Sequence, residues 1–497
     1  MQPAVNRLWI SSYAAQMFKK SSMKPGYNKF FVFAIVMMYC STLLQGQYIK
    51  EVLEYTPAPG QYINTGEAGS PHAALSIQDS LNGLVNLGAY GGYIIFRFDK
   101  PVENDPDNPY GVDFTIFGNP LTDWSEPGIV SVMKDMNNNG LADDTWYELA
   151  GSDHYFSTTR NDYEITYTNP HESQAADISW TDNNGNSGYI FANSYHTQQY
   201  YPLSDSFPDI DNNSYTLAGT LIAGAVNTSD PASIKSYHRA FGYADNQPRS
   251  SGSYEIPDNP YTRIIENSGG DAFDISWAID EEGNYTDLDE IHFIKVHNAI
   301  MADAGPLGEL STEIAGAIDI PPDNSITGIQ DMIVIKDMPA EIDSSRYQIE
   351  VFVFHKGRLV RDKEINWTCS IREASIDDNN ILYANNPGEL TITASLAENP
   401  AITASATIII TESQVAIEKN QDEEKIVVYP NPAGNKIRIR GPEISEISIH
   451  TLSGRLIKKI NNYSSDMEIC LTDIPPGIYI LNTRTASGVF KSKLIKK

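Results

Sequence analysis

Apolar residues in this chain alternate with polar ones over short runs, and each run stops at glycine, asparagine, aspartate or proline. Gly92-Tyr-Ile-Ile-Phe-Arg-Phe98 is the clearest run, and Tyr163–Tyr167, Asp274–Trp277 and Ile291–Val296 repeat the pattern. A period of two is the signature of a strand with one face buried, and no stretch sustains the 3.6-residue period of an amphipathic helix. The chain is therefore expected to be all-β. Tyr48 to Ile320 has the strand density of a large jelly-roll-like sandwich, with long loops such as Asp182 to Asp211 taking up the extra length. The Ala- and Gly-rich Thr216–Val226 segment fits neither period.

Pro321-Pro322 opens a linker over 321–332. A second module spans 333–412, with runs at Ile349–Val353, Ile365–Cys369, Ile381–Ala384, Leu390–Ala394 and Ala406–Ile410. Short strands at this spacing fit an immunoglobulin-like sandwich, in which Trp367 and Cys369 read as core residues. A polar linker over 413–425 leads to a last β module, 426–497, of a size for a small sandwich. Ahead of the large domain, residues 1–22 read as an upstream extension. Met23, Lys24 and Lys29 followed by the apolar Phe30–Leu44 read as a signal peptide ending near Gly46 or Gln47. No other segment approaches the ~20 apolar residues of a membrane-spanning helix, so none is expected in the mature chain.

The formal net charge of -29 argues against a nucleic-acid partner, because phosphate backbones recruit basic surfaces. The three cysteines, Cys40, Cys369 and Cys470, give no disulfide framework and no zinc spacing. Met38-Tyr39 before Cys40 lacks the small residues of a lipobox.

The densest chemistry lies between two strand-like runs, Ile129–Met133 and Thr145–Leu149. Asp135, Asn137, Asn139 and Asp143 place side-chain oxygens at the first, third, fifth and ninth positions around Gly140; Leu141 adds the seventh position and Asp144 a further carboxylate. That spacing suits a structural calcium ion. Trp146 stands where a calcium loop has its bidentate glutamate, and Glu148 follows two residues later. The competing reading is an ordinary Asn/Asp turn. Asp182–Gly188 and Asp209–Asn213 are weaker versions, read as turns.

Aromatic side chains stack on sugar faces, and Asp and Asn accept hydroxyl groups, so a glycan or other small-molecule ligand is expected. Tyr90, Tyr93, Trp124, Tyr200 and Tyr201 are the candidate contacts, with Glu126 in the Ser125-Glu126-Pro127-Gly128 turn. Glu309 and Glu313 open a paired-carboxylate hydrolase reading with Glu126. His292 and His297 fall on opposite strand faces and make no ligand pair. No GxSxG, HExxH, phosphate-loop or dinucleotide fingerprint occurs, and no catalytic residue is assigned.

Three resemblances add to this reading. The order of Trp367-Thr-Cys369, Ala374-Ser-Ile376, Ile381–Ala384, Pro387–Ser395 and Ala406–Ile410 resembles bacterial immunoglobulin-like group 2 repeats, which implies a spacer or stalk unit. Val52–Asn64, Leu87–Tyr93, Asp113–Asn119, Glu126–Gly128, Trp146–Ser152 and Leu307–Glu313 resemble Bacteroidota cell-surface proteins with a PKD-like domain, which implies a location more than a mechanism. Tyr429-Pro-Asn-Pro432, Ser453-Gly454-Arg455, Pro475-Pro-Gly-Ile-Tyr479 and the Lys-rich end resemble the type A C-terminal sorting domain of type IX secretion. That resemblance implies the secretion machinery and a sorting protease as partners, and an extracellular or outer-membrane-surface destination. The expected function is a secreted, surface-displayed, non-enzymatic binding protein. The alternatives are an uptake accessory capturing a corrinoid or metallophore, and a glycoside hydrolase.

Overall fold

The computed structural model describes residues 47–342, 346–384, 386–411, 426–451, 455–485 and 488–497. The leader with Met23 and Cys40, the 413–425 linker and Ser453-Gly454 lie outside the described residues. The described residues fall into two compact units, one up to residue 411 and one from 426 onwards. Among them, no helix is long and apolar enough to cross a membrane.

The first unit is built on an antiparallel six-stranded sheet. Its strands run in the order Glu51–Thr56, Tyr93–Arg97, Phe293–Asn298, Gly128–Met133, Trp146–Leu149, Ala278–Ile279. Register sets Ile94, Val296 and Val130 in one row and Phe96, Ile294 and Val132 in the next. These rows share a core with Phe114, Ile116, Phe273 and Ala317 from a three-stranded sheet, Asp271–Phe273, Phe114–Phe117, Gly316–Asp319. Phe114–Phe117 is buried along its whole length, on both faces of its sheet.

On the other face of the six-stranded sheet lies a four-stranded one: Ser187–Ile190, Ile178–Asp182, Arg160–Thr168, Ser214–Leu221. Its last strand takes up residues 216–221 of the Thr216–Val226 stretch, and Val226 instead pairs with Ser236 in a separate two-stranded ribbon. Gly219 there is a packing requirement: a Cβ on it would sit 2.7 Å from Nε2 of His297. That imidazole is buried and hydrogen-bonded from Nε2 to the Thr220 carbonyl at 3.1 Å. Asp274–Trp277, read as a strand, is instead a turn of 3-10 helix over Ile275–Trp277. The Asp274 carboxylate accepts the Ser276 N–H at 2.8 Å, and this local cap outcompetes the alternating pattern.

The immunoglobulin-like module pairs Asp331–Ile335 with Val351–His355 and Arg358–Val360, facing a sheet of Glu341–Ile342, Thr403–Ile410, Gly388–Leu396 and Ile365–Cys369. The spacer expectation does not describe its attachment. Met332, Val334 and Phe354 belong to the same apolar core as Phe241 and Trp277 of the large domain. Trp277 donates its indole N–H to the Lys356 carbonyl at 2.9 Å, and Arg358 donates to the Ser276 carbonyl at 2.6 Å. Gly357, at φ +71, passes so close that an added Cβ would lie 2.1 Å from the indole nitrogen.

The second unit is a five-stranded sheet of Val427–Tyr429, Lys436–Thr451, Leu456–Cys470, Gly477–Thr485 and Gly488–Lys496 around Ile437, Ile439, Ile449, Leu481 and Leu494. Asn431 of the Tyr-Pro-Asn-Pro motif donates to the Lys493 carbonyl and accepts from Ile495 N, tying the first strand to the last.

Two outcomes follow. Gly357→Ala should destabilise the first unit by about 2–4 kcal/mol through left-handed strain and overpacking. Urea denaturation followed by tryptophan fluorescence should still show one transition for large domain and module together; two separable transitions would refute the shared core. Burial, with Lys295 alongside, pushes the His297 pKa down to about 4. The unfolded chain therefore binds a proton that the folded chain refuses. The resulting stability is complete above about pH 6.5 and is lost as pH falls towards 4, up to about 3 kcal/mol. A His297→Gln variant should flatten that part of the stability–pH curve.

Candidate functional site

Three segments far apart in sequence bring carboxylates to one point: Glu126, Asp245 and Glu313. Glu126 sits where the chain enters the Gly128–Met133 strand, held there because its backbone N–H donates to the Asp245 carbonyl at 3.0 Å. Glu313 starts a two-residue strand paired with Val85–Asn86, directly opposite Asn86. Asp245 follows a buried Tyr243-Ala244 pair and adopts φ 56, a left-handed conformation that aspartate tolerates.

Each carboxylate is aimed by specific donors. Asp245 accepts Asn119 N at 3.0 Å and Glu313 N at 2.8 Å. Glu126 accepts Ser311 N at 3.0 Å. One Glu313 oxygen takes the Asn86 side-chain amide, whose own oxygen accepts Gly88 N at 2.8 Å and Ser311 Oγ at 2.7 Å. The other Glu313 oxygen, Oε2, is buried without a donor, and so is Oε2 of Glu309. Glu309 accepts Gln61 N at 2.5 Å through Oε1. The Gly118-Asn119-Pro120 turn is part of the construction: a Cβ on Gly118 would lie 2.0 Å from Asp245 Oδ1.

The electrostatics are those of crowded, desolvated acids. Burial, reinforced by Glu126 and Asp245, drives the Glu313 pKa well above the carboxylate range. Burial raises Asp245 in the same way, with Glu126 adding to it, and raises Glu126 less because the Ser311 N–H, a hydrogen bond with the Glu313 carboxyl and the Trp124 side chain favour its charged form. Burial pushes Glu309 up to about 8. Among the described residues no lysine, arginine or histidine forms an ion pair with any of the four.

Two aromatics border this cluster at the surface. Trp124 is half-buried in the turn closed by Leu121, and its indole lies beside the Glu126 carboxyl. Tyr62 is 39% exposed and edge-on to His196 at 4.7 Å. Burial raises its phenol pKa, and the charges of Glu313, Glu126 and Glu309 raise it further; the N–H of the preceding Gln61 is bonded to Glu309.

The structure thus joins Trp124, Glu126, Glu309 and Glu313, and it corrects the other aromatic expectations. Tyr90, Tyr200 and Tyr201 are buried, and their hydroxyls are taken by the Gly219 carbonyl, Asn193 N and the Asp211 carbonyl. Tyr93 is half-buried, its ring covered by the Lys295 ammonium at 4.3 Å and its hydroxyl bonded to Glu54. None of these four offers a free ring face. Sequence reading missed Tyr62, Asn86 and Asp245. Asn86 is the only polar residue within Leu84–Leu87, and Asp245 ends an apolar run from Phe241; a polar residue where burial is expected was the available signal.

The Asp135–Asp144 loop is a separate feature. Asp135 is buried and accepts Asn139 N at 3.1 Å and Gly140 N at 2.8 Å; Asn137, Asn139, Leu141 and Asp143 are exposed, and Asp144 accepts Met136 N at 2.9 Å. Glu148 is no ligand for it, being bonded to His154 at 2.9 Å and Thr220 at 2.6 Å. Asp182–Gly188 is the turn of a hairpin, its aspartate accepting Asn184 N and Asn186 N.

Residues 427–497 match the secretion system C-terminal sorting domain family. That defines the class: an all-β cargo protein of type IX secretion, engaged by that machinery and delivered to the cell surface or beyond. The match covers the second unit alone, and no curated protein matches the chain. Similar solved structures include Sidekick-1 immunoglobulin domains 1–5 (9% identity, TM-score 0.15, 40% of this chain and 50% of that one). The adhesin InvE of Yersinia pseudotuberculosis aligns at 9% identity and TM-score 0.13 over 34% of this chain and 59% of that one. Dimeric latent PorU from Porphyromonas gingivalis aligns at 13% identity and TM-score 0.13, over 69% of this chain and 30% of that one. The chain spans half the length of the first, and at these TM-scores the likenesses carry no argument.

Gly118→Ala should displace the Asp245 carboxylate from Asn119 N and lower stability by about 1–3 kcal/mol, read as a fall in the calorimetric melting temperature.

Proposed function

We propose that this is a surface-displayed binding protein whose large domain takes a carbohydrate or glycoconjugate between Trp124 and Tyr62, over the Glu126 carboxylate. The observation behind it is that two partly exposed aromatic side chains border one cluster of carboxyl groups, while the other candidate aromatics are spent on internal contacts. Aromatic faces take the apolar face of a sugar ring, and carboxylates accept its hydroxyls. In the same reading, the Asp135–Asp144 loop holds a calcium ion that braces the hairpin between Gly128–Met133 and Trp146–Leu149, with Asn139 and Asp143 already drawn together at 3.0 Å.

A hydrolase reading has one observation in its favour: Glu126 and Glu313 offer carboxyl oxygens within 4.8 Å of each other. Against it, Glu313 is only 5% exposed and one of its oxygens is taken by the Asn86 amide, so it is engaged structurally and does not face an open sugar cleft.

Glycan-array binding by the full chain should weaken at least about tenfold in Trp124→Ala and in Tyr62→Ala, the loss of roughly one aromatic stacking contact. No binding to any glycan, or binding indifferent to both changes, would sink the proposal. Release of free sugar, abolished in Glu126→Gln, would establish the hydrolase instead.

A further inference from the structure

We propose that Glu126, Asp245 and Glu313 together hold one hard divalent cation of the calcium class. The inference deepens the reading of this face as a ligand site and rests on it for what the ion would do there.

The geometry comes first. One carboxylate oxygen from each residue lies within 4.8 Å of the other two. Oxygen ligands at 2.3–2.6 Å from a calcium ion are separated by at most about 5 Å, so the three oxygens fall within the span of one ion's ligand shell. The ligand set is entirely oxygen and formally carries three negative charges, which selects a hard cation over zinc or copper.

The second observation is independent of the acidic count. Glu313 is 5% exposed, yet its Oε2 meets no N–H or hydroxyl donor, only the neighbouring Glu126 carboxyl; the nearby Glu309, equally buried, also has an Oε2 without a donor. Buried carboxylate oxygens are normally paired, and leaving one bare costs about 1–3 kcal/mol. Both Asp245 oxygens and the other Glu313 oxygen accept N–H donors, so the bare Glu313 Oε2 marks where a further positive group belongs. No cationic side chain supplies it among the described residues.

The third point is pre-organisation. Asp245 is held through Asn119 N and Glu313 N, Glu126 through Ser311 N, and Glu313 through Asn86, so the cluster is shaped before any ion arrives. Asn86 plays the part of an outer partner that orients a ligand, and such partners carry about 10–100-fold in metal affinity.

The experiment uses the full chain carrying Asp135→Ala, which silences the acidic loop, stripped with chelator and titrated calorimetrically with calcium, magnesium and manganese chlorides. One bound ion with a raised melting temperature is expected, about 10–100-fold weaker in Asn86→Ala and lost in Glu313→Gln. Terbium bound in the same background should luminesce on tryptophan excitation, and Trp124→Phe should dim it; this readout stands if Glu313→Gln does not fold. No heat, an unchanged melting temperature and terbium emission indifferent to Trp124 would overturn the inference and leave protons shared among the three acids. Glycan binding that persists in chelator without any bound ion would likewise sink the cation while the binding function stood. Ion binding without any glycan binding would do the reverse.

Discussion

A buried backbone N–H outside a strand ladder has to find an acceptor, and in this large domain several of those acceptors are buried carboxylates. Asp113 takes Asp105 N and Ile275 N; Asp271 takes Asn246 N and Gln247 N; Asp258 takes Glu266 N and Asn267 N; Asp245 takes Asn119 N and Glu313 N. Each pair of bonds pins two loop segments to each other, and so lets a domain of short strands and long connections hold a fixed shape. Burial opposes the charge on all four, and the raised pKa of each records that opposition. The candidate site is where this construction is most concentrated. Asp245 performs the same backbone task as the others, but it does so beside Glu126 and Glu313, and the three desolvation penalties fall on one small volume.

The same logic of shared interior explains why the immunoglobulin-like module is no loose appendage. Phe354 meets Phe241 edge-on at 5.1 Å, and Phe241 meets Trp277 at 5.2 Å, so an aromatic chain runs unbroken from one module into the other. Around it Arg239 pairs with both Asp153 of the large domain, at 3.0 Å, and Asp337 of the module, at 2.7 Å. A junction with a common core transmits strain as a single body. The carboxylate cluster of the large domain is therefore carried on a scaffold larger than the domain itself.

What the sequence disclosed followed from how local each cause was. Period-two runs are local, and the strands at Tyr93–Arg97, Gly128–Met133 and Tyr163–Tyr167 were legible from them. The Asp274 cap was also local, but it competed with the alternation at Ile275–Trp277, and a single hydrogen bond decided the outcome. The site was only half legible. Glu126, Glu309, Glu313 and Trp124 stood out as chemistry, yet their convergence depends on pairing between Glu313 and Asn86 across more than two hundred residues, which no local pattern encodes. Tyr90, Tyr200 and Tyr201 were misread for the opposite reason. A tyrosine suits a wet binding face and a buried one equally well until the partner of its hydroxyl is known, and here each hydroxyl ends on a main-chain group.

The acidic loop and the carboxylate cluster differ in where the work of organising ligands falls. In the loop, Asn137, Asn139 and Asp143 are exposed, and their hydrogen bonds run within a single turn, so an arriving ion would itself order part of its ligand set. Ordering several polar side chains on binding subtracts from affinity, as it does for any association. In the cluster, donors from Asn86, Asn119, Ser311 and the Glu313 main chain have already fixed the carboxylates as part of folding. The repulsion among them is then held in the folded state, and any positive group that enters relieves it. A proposed site of that kind would draw its affinity from what the fold has already done, since its three carboxylates, sparse in the sequence, are brought together by folding alone.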